Sequence, residues 1–276
     1  MARPIRKLPL VQQTDYIDTY TPSLLCDIPR KEGREKLSID SENLPFHGVD
    51  IWNAYEISWL DSRGKPVVAV AEIQIPCSSP LIVESKSLKL YLNSYNQTRF
   101  NSKQEVLRTL ESDLSILVRA PVLVKVRSES QFGHEAAGEL PGTCIDNIDI
   151  DVDCYEVQPT FLTLDENPVK SAESLYSHLL KSNCPVTNQP DWASVVVQYA
   201  GPKIDRAGLL KYIISYRSHS EFHEQCIERM FMDIMAHCKP EHLTVYARYV
   251  RRGGIDINPF RSNYEEPMAN IRLFRQ

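Results

Sequence analysis

Two stretches of the chain, 121 residues apart, carry the same pattern of side chains. Leu88–Tyr95 reads LKLYLNSY and Leu209–Tyr216 reads LLKYIISY, and a phenylalanine lies between each stretch and the long helical pattern that follows. A repeat of this length is far longer than the unit of a solenoid, so it indicates the duplication of a whole domain. The sequence therefore predicts two modules of related plan.

Apolar periodicity predicts the elements of the first half. Alternation predicts a hairpin of strands 51–60 and 66–76 around a turn at 61–64, followed by an extended segment over 81–91. Ser102 and Glu105 form a capping box that begins a helix, and a strand follows at 121–126. The buried stripe of that helix is predicted to be Val106, Leu110, Leu114 and Leu117.

The second half repeats this plan. We predict a strand over 149–157, a helix over 172–180, and strands over 194–199 and 242–250. Ser218 and Glu221 suggest a second capping box. The helix after it has an apolar stripe of Ile227, Met230, Phe231, Ile234 and Cys238. The predicted domains are an N-terminal lead-in over 1–45, a first module over 46–140 and a second module over 141–276.

Composition and charge narrow the class of protein. A net charge of −5 argues against a general nucleic-acid or anionic membrane surface. The first ten residues lack the apolar core of a signal peptide, and no run of apolar residues is long enough to span a bilayer. Seven scattered cysteines without a C-x-x-C pair suit a reducing compartment. We expect a cytoplasmic protein with free thiols, small-molecule partners, no direct nucleic-acid contact and no membrane contact.

Cys184 lies in a polar segment bracketed by Pro185 and Pro190, with Asp191 seven residues later. A free cysteine is most often a small buried hydrophobe, but the polar neighbours here favour partial exposure. A loop that folds back would bring Asp191 within proton-transfer distance of whatever the thiol attacks. The alternative, an inert buried thiol, stays open at this point.

The two halves differ in the residues that could carry chemistry. The second half has His223 and Glu224 in the first turn of its long helix, and the first half has Glu84 where the second has Asp205. A carboxylate in a first turn commonly complements only the helix dipole. It can also accept two adjacent N–H donors, such as the edge of a guanine-like ring. Each half would then supply part of a site.

Basic residues form two further candidate sites. Lys86 and Lys89 are spaced as on an exposed strand face, and Arg251 and Arg252 precede the pair Gly253–Gly254. Either motif is an ordinary solvated surface or a binding site for phosphate. Neither common glycine-rich nucleotide loop occurs in the chain. A zinc site would need the set Cys184, Cys226, His237 and Cys238, whose spacing matches no standard ligand pattern, so we predict no metal.

These motifs together resemble the NADPH-dependent 7-cyano-7-deazaguanine reductases of queuosine biosynthesis, in their long two-module form. The resemblance rests on the segment ESKSLKLY from Glu84, on Cys184 with Asp191, on the triplet Phe222–His223–Glu224, and on RRGGIDINP from Arg251. It covers nearly the whole chain. It implies an α+β fold built by tandem duplication of a tunnelling-fold module, each an antiparallel sheet with two helices packed on one face.

The resemblance also implies residue roles. Cys184 would add to the nitrile and form a covalent thioimidate, Asp191 would donate a proton, and His223 would assist later proton transfers. The substrate-binding residues would be Val83, Glu84, Ser85, His223 and Glu224. NADPH would be held by Ser85, Lys86, Arg252 and Gly253, two NADPH would reduce each nitrile to the primary amine, and the protein would be a homodimer.

Two other classes of function remain open on the sequence. A purine- or pterin-binding module of the same fold would keep the two carboxylates without needing a reactive thiol. A hydrolase using Cys184 with His223, or a metal-dependent cyclohydrolase of the same fold, would need no nicotinamide.

Overall fold

The computed structural model describes residues 16–128, 137–166 and 169–276, which divide into two compact units. The first unit contains the described residues up to Asn43, residues 49–128 and Arg251–Ile257. The second contains Leu44–Gly48, the described residues from Ala137 to Val250, and Asn258–Gln276. Each unit combines an antiparallel sheet with two main helices, which confirms the predicted α+β duplication of a tunnelling-fold module.

The first unit is built on the predicted hairpin. Its elements are β1 (Asp27–Pro29), α1 (Arg30–Glu35), β2 (His47–Leu60), β3 (Pro66–Pro76), β4 (Leu81–Val83), α2 (Ser85–Asn93), α3 (Lys103–Val118) and β5 (Leu123–Ser128). Strands pair antiparallel in the order β5-β3-β2, and β1 pairs with β4. Alternate residues of β3 are buried with the apolar faces of α2 and α3, so both helices cover the same sheet face.

The second unit has the same plan with a longer hairpin. Its elements are β6 (Thr143–Cys144), β7 (Lys170–Ser177), β8 (Lys181–Asn183), β9 (Pro190–Pro202), α4 (Arg206–Ser215), α5 (His223–Cys238), β10 (His242–Tyr249) and β11 (Ile255–Ser262), whose first three residues belong to the first unit. β7, β9, β10 and β11 pair antiparallel in that order. The predicted stripe of α5 is confirmed, because all five of its residues are buried.

The duplication extends to individual hydrogen bonds. In the first unit the hydroxyls of Tyr91 and Tyr95 lie 2.6 Å apart, and Tyr91 donates to Asp113 at 2.6 Å. The second unit repeats this cluster. Its tyrosines are Tyr212 and Tyr216, with hydroxyls 2.8 Å apart, and Tyr212 donates to Asp233 at 2.6 Å. Burial raises the pKa of all four phenols, so they remain neutral donors.

The N-terminal segment belongs to this repeated plan. The Thr21 N–H donates to Ser94 Oγ at 3.2 Å, and the Gln158 N–H donates to Ser215 Oγ at the same distance. A short 3-10 turn begins at the next residue in both units, at Pro22 and at Pro159. The segment after Tyr20, for which the sequence predicts only a lead-in, is therefore an ordered part of the first unit. The predicted domain boundaries stay predictions.

Four sequence-based assignments are wrong. Residues 172–180 are not a helix, because Lys170–Ser177 pairs with β9 along its whole length, and this tertiary pairing overrides helix propensity. Residues 149–157 form no strand. Residues 81–91 are extended only to Val83, since Glu84 caps a helix there. The capping box at Ser218 does not form, because α5 begins at His223 after Phe222, whose side chain caps nothing.

Three further details concern the predicted long helices. The capping box at Ser102 is confirmed, since its Oγ accepts the Glu105 N–H at 3.2 Å. In α3 the fourth buried position is Val118, while Leu117 is only partly buried. Helices α3 and α5 begin 120 residues apart, so Phe222 corresponds to Ser102 rather than to Phe100.

Within the part of the chain that the structure describes, we find no helix with the length and apolar character needed to cross a membrane.

The first unit depends on an ion pair between Arg30 and Asp50, both almost fully buried. Removing one partner of a buried pair leaves an uncompensated charge, so Arg30→Ala should lower the free energy of unfolding by about 3–5 kcal/mol. The matched control is Lys31→Ala at the next position, where the ion pair with Glu35 is exposed and worth at most about 1 kcal/mol. Urea unfolding of both variants measures the difference. Equal, small losses would contradict a structural role for the N-terminal segment.

Candidate active site

Cys184 lies at the start of the turn that joins β8 to β9 in the second unit. Its N–H donates to the Gln189 carbonyl and its carbonyl accepts the Asn188 N–H, both at 2.9 Å. Asn188 adopts a left-handed conformation with φ of 54°, which closes this tight turn. The thiol is partly exposed. This thiol is held on a hydrogen-bonded turn, as the polar sequence around it predicts.

Asp191 follows on β9, where it pairs in register with Ser182 of β8. Its carboxylate is buried, and Oδ2 lies 3.2 Å from His223 Nε2. The His223 ring stacks on Tyr249, with centroids 3.8 Å apart and planes inclined by 6°. Among the described residues His223 Nδ1 is buried without a hydrogen-bond partner. The structure therefore brings together Asp191 and His223, two of the three predicted catalytic residues, and Asp191 lies on the hairpin that carries the third, Cys184.

Trp192, the next residue along the chain, does not provide an apolar setting for Asp191. Successive side chains of a strand point to opposite faces, so Trp192 points away from its neighbour. Its ring instead lies beneath the guanidinium groups of Arg217 and Arg275, at 5.5 and 5.7 Å. The aromatic ring that stacks on the Asp191–His223 pair is that of Tyr249 on β10, which the local sequence around Asp191 does not reveal.

The start of α5 is fixed to the Cys184 hairpin by a short network. The Asn183 N–H donates to the His219 carbonyl at 2.7 Å. Glu221 accepts two bonds from Arg229, at 2.6 and 3.0 Å, and lies 2.9 Å from His219 Nε2. Glu221, which the sequence suggested as part of a capping box, thus anchors the segment before His223 and Glu224. Glu224 is buried in the first turn of α5.

The other cysteine near this hairpin is not a candidate nucleophile. Cys226 is fully buried, and burial, with a smaller contribution from the charge of Glu221, raises the pKa of its thiol far above the ordinary value. A thiol that stays protonated is a poor nucleophile. Cys184, by contrast, lies at the surface of a turn. The structure thus distinguishes two thiols that composition alone treats alike.

Val83, Glu84 and Ser85 lie in the first unit, at the junction between β4 and α2. The Glu84 carboxylate is buried and accepts the N–H groups of Lys86 and Ser87 at 2.9 and 2.8 Å. Burial raises the pKa of Glu84, although these two hydrogen bonds oppose the shift. We expected Glu84 on an extended segment. The finding corrects this, because its carboxylate is the N-cap of a helix.

The N-terminal segment positions this junction. The Glu84 N–H donates to the Cys26 carbonyl at 2.9 Å, and the Cys26 N–H donates to Ser87 Oγ at 3.0 Å. β1 continues the contact by pairing with β4. Sequence reasoning missed Cys26 and Arg30 as supporting residues, since neither lies in a periodic stretch. The proline-bracketed segment around them was the only available signal.

The basic candidates of the first unit come close together. Lys86 and Lys89 lie on α2, three residues apart on one face of a helix rather than on a strand. A side chain added at Gly253, which has φ of 58°, would approach the end of Lys89 to 3.3 Å. Lys89 and Gly253 line a cavity of about 250 Å³, with Glu56, Asn93 and Gly254. The lysine motif and the glycine pair, neither of which is specific in the sequence, therefore both contribute residues to one cavity.

The segment before this glycine pair is fixed by its own contacts. The Arg251 guanidinium lies 4.8 Å from the Tyr55 ring centroid, and the Arg252 N–H donates to the Ile255 carbonyl at 2.9 Å. Asp256 accepts from Asn53 and from Tyr55, at 2.7 and 2.6 Å. These bonds hold Arg252 and Gly253 in place within the first unit. The four residues considered above as a zinc site, Cys184, Cys226, His237 and Cys238, do not form a cluster of metal ligands among the described residues.

Family models match most of the described chain. Residues 16–126 match the N-terminal model QueF_N, described as nitrile reductase, 7-cyano-7-deazaguanine-reductase, and residues 190–268 match the model described as QueF-like protein. The chain belongs to the QueF family of nitrile reductases. It has the long, two-module form of that family, which confirms the resemblance. Membership indicates a nitrile reductase of the queuosine pathway.

The matched QueF segments contain most of the candidate site. Glu84 and Lys86 lie in the first match, and Asp191, His223, Glu224, Arg252 and Gly253 lie in the second, while Cys184 falls between the two. The crystal structure of the archaeosine synthase QueF-Like in the apo form is also similar in part. It is 19% identical, covers 36% of this chain and 99% of that chain, and has a TM-score of 0.31.

Glu221 gives the QueF chain a predictable acid sensitivity. Burial alone would raise the pKa of Glu221, but the bonds from His219 and Arg229 outweigh it and lower the pKa to about 2. The unfolded chain therefore binds more protons as the pH falls, and the stabilisation present above about pH 4.5 is lost towards pH 2. The total is on the order of 3 kcal/mol.

The measurement is the free energy of unfolding between pH 6 and pH 2.5 for the parent and for Glu221→Gln. The variant should be less stable at pH 6 and should lose less stability on acidification than the parent. Parallel pH profiles would show that Glu221 does not carry this stabilisation.

Proposed function

We propose that the protein reduces the nitrile of 7-cyano-7-deazaguanine to the primary amine of 7-aminomethyl-7-deazaguanine. The Cys184 sulfur adds to the nitrile carbon, and its proton and one further proton are used as the nitrogen becomes an amine. Overall, one nitrile, two NADPH and two protons give one amine and two NADP⁺. The thiol leaves after the first reduction, so Cys184 is regenerated. The observation that carries this proposal is the partly exposed Cys184 on the same hairpin as the buried Asp191, whose carboxylate lies 3.2 Å from His223.

A nitrile is a modest electrophile, so the nitrogen that gains charge must be protonated as the sulfur adds. Asp191 is suited to this because it is buried and fixed on a strand next to the turn. In our proposal the proton that the Cys184 thiol loses passes through the Asp191 carboxyl group to the nitrogen, so the S–H bond breaks as the C–S bond forms. His223, whose Nε2 lies 3.2 Å from Asp191 Oδ2, assists the later transfers, in which each proton that Asp191 gives to the nitrogen is replaced by one from water.

Substrate recognition rests on buried carboxylates in our proposal. Glu224 in the second unit and Glu84 in the first would each accept N–H donors from the deazaguanine ring. Val83 and Ser85 flank Glu84, and His223 precedes Glu224 on α5. Glu84 is the more demanding case, because it also accepts two backbone N–H bonds. A carboxylate has about four lone-pair sites, so it has capacity for both tasks.

The cavity of the first unit fits part of a nicotinamide dinucleotide. Lys89 supplies a cation, Asn93 an amide and Glu56 an acceptor, a set that suits a phosphate next to a ribose hydroxyl. Its volume of about 250 Å³ is smaller than typical ligand pockets, so it would hold one portion of NADPH. Gly253 also lines this cavity, and Ser85, Lys86 and Arg252 would hold the rest. When bound, NADPH supplies the hydride for each reduction. The proposal includes a homodimer working in the cytoplasm.

The decisive experiment mixes the protein with 7-cyano-7-deazaguanine and NADPH. Absorbance follows NADPH oxidation, and intact mass measures a covalent adduct formed without NADPH. The parent should form one adduct per chain and oxidise two NADPH per amine. Cys184→Ala should form no adduct and oxidise none, since no thiolate attacks. Cys154→Ala, at another partly exposed cysteine, is the matched control and should behave as the parent.

Other outcomes would identify a different function. Ligand binding without oxidation or adduct in the parent would indicate a binding module. Nitrile or ring hydrolysis that needs no NADPH would indicate a hydrolase. NADPH oxidation that persists in Cys184→Ala would rule out the thioimidate.

The proposed recognition role of Glu84 can be separated from its role as a helix cap. Asp205 caps α4 in the same way, accepting two N–H groups at 3.1 and 2.9 Å. Glu84→Gln and Asp205→Asn should each cost about 1 kcal/mol of stability or less. Only Glu84→Gln should also raise the KM for the nitrile, by about 10- to 100-fold, because it loses a charge-assisted bond. Equal effects of the two variants on KM would assign Glu84 a purely structural role.

A further inference from the structure

The second unit contains a group of metal-ligand side chains that the proposed reaction does not use. Cys144, Asp146 and His178 each place one ligand atom within 4.8 Å of the other two. We infer that these three residues bind one Zn²⁺ ion, with water at the fourth position. The inference is independent of the proposed function.

The fold brings the three residues together from distant parts of the sequence. Cys144 lies in β6, which pairs with β7, and the Ile145 N–H donates to the Tyr176 carbonyl at 3.0 Å. The His178 N–H donates to Asp146 Oδ2 at 3.0 Å, which joins the end of β7 to the segment after β6. Zinc ligands at about 2.0–2.3 Å from the ion are about 4 Å apart or less, so small side-chain rotations complete the site.

Asp146 provides a second observation that points to a ligand. Its Oδ1 is buried and has no hydrogen-bond partner among the described residues. A buried carboxylate oxygen without a partner is costly, and a bound cation is one of the few groups that remove the cost.

The His178 ring is oriented as a metal ligand is. Its Nδ1 lies 2.7 Å from Ser194 Oγ on β9. Histidine ligands commonly donate their second ring N–H to a neighbouring acceptor, which fixes the tautomer and leaves the other nitrogen for the metal. When Nδ1 donates to Ser194, Nε2 carries the free lone pair. The Arg275 guanidinium donates to the backbone carbonyl of His178, not to the ring.

The mixture of donors favours zinc over the other common cations. A thiolate, an imidazole and a carboxylate are all zinc ligands, whereas Mg²⁺ and Ca²⁺ prefer oxygen alone. Thiolate and carboxylate together neutralise the charge of the ion. The ion would join the segment after β6 to the end of β7. Its effect is therefore expected on stability.

The test uses the full chain in a Cys184→Ala background, which removes the exposed thiol of the hairpin. Chelator-treated protein is titrated with Zn²⁺ against a chromophoric competitor, and with Co²⁺ for its thiolate absorption. The parent should bind one equivalent, and Zn²⁺ should raise its Tm. Cys144→Ser and His178→Gln should each weaken Zn²⁺ binding by more than about 100-fold. This loss is larger than the one expected for a residue that only bonds to a ligand, such as Ser194. Ser194→Ala should weaken binding by about 10- to 100-fold.

Two matched controls should bind as the parent does. One is Cys154→Ser. The other is His219→Gln, which changes a second group of possible metal ligands among the described residues, formed by His219, Glu221 and Cys226. Circular dichroism checks that each variant is folded. If Cys144→Ser does not fold, the affinity of His178→Gln for Zn²⁺ decides the test. Absence of stoichiometric binding in the parent, or unchanged affinity in Cys144→Ser and His178→Gln, would overturn the inference.

Discussion

A carboxylate that accepts two backbone N–H groups fixes the start of one helix in each unit, and both units are arranged around it. Glu84 does this for α2, and Asp205 does it for α4. The cap sets where each helix begins, and it therefore sets the position of the tyrosine pair on that helix. One tyrosine of each pair donates a hydrogen bond to an aspartate on the next long helix. Because the cap, the tyrosine pair and the serine bonded by the preceding segment all recur, the duplicated scaffold preserves a connected set of hydrogen bonds rather than a general shape.

Chemistry enters where the two copies differ. The first hairpin closes with the short turn 61–65, whereas the second extends over 178–189 and gains β8 and the Cys184 turn. The first turns of α3 and α5 also differ between the two units. Ser102 caps α3 with its side chain, but the corresponding Phe222 caps nothing, and His223 and Glu224 occupy the turn that follows. The second unit thus gives up a local stabilising bond at the position where its candidate site is built, a common compromise between stability and function.

The sequence predicted the duplication, the hairpin of β2 and β3 and the two long helices, because each follows from a strong local period or cap. The prediction fails for residues 172–180, because strand pairing with β9 decides their structure. It also fails for the segment after Glu84, where Leu88, Tyr91 and Leu92 have a helical spacing and form a helix instead of the predicted extended segment. The Asp191–His223 contact joins residues 32 positions apart, and the stacking on Tyr249 adds a third element. Such contacts leave no periodic signal, so the sequence gives the members of the candidate site and not their partners.

The division of labour within the candidate site follows from how firmly each element is held. Asp191 is buried on a central strand, and the half-buried His223 ring contacts both its carboxylate and the stacked ring of Tyr249. Cys184 lies instead on a turn whose two closing hydrogen bonds leave the side chain partly exposed. A nucleophile must approach the substrate and later leave it, whereas a proton relay works only at fixed distances. In the proposed mechanism the bond to Cys184 forms and breaks once in each reaction, so a partly exposed thiol beside a firmly held carboxylate is the arrangement that this proposal needs.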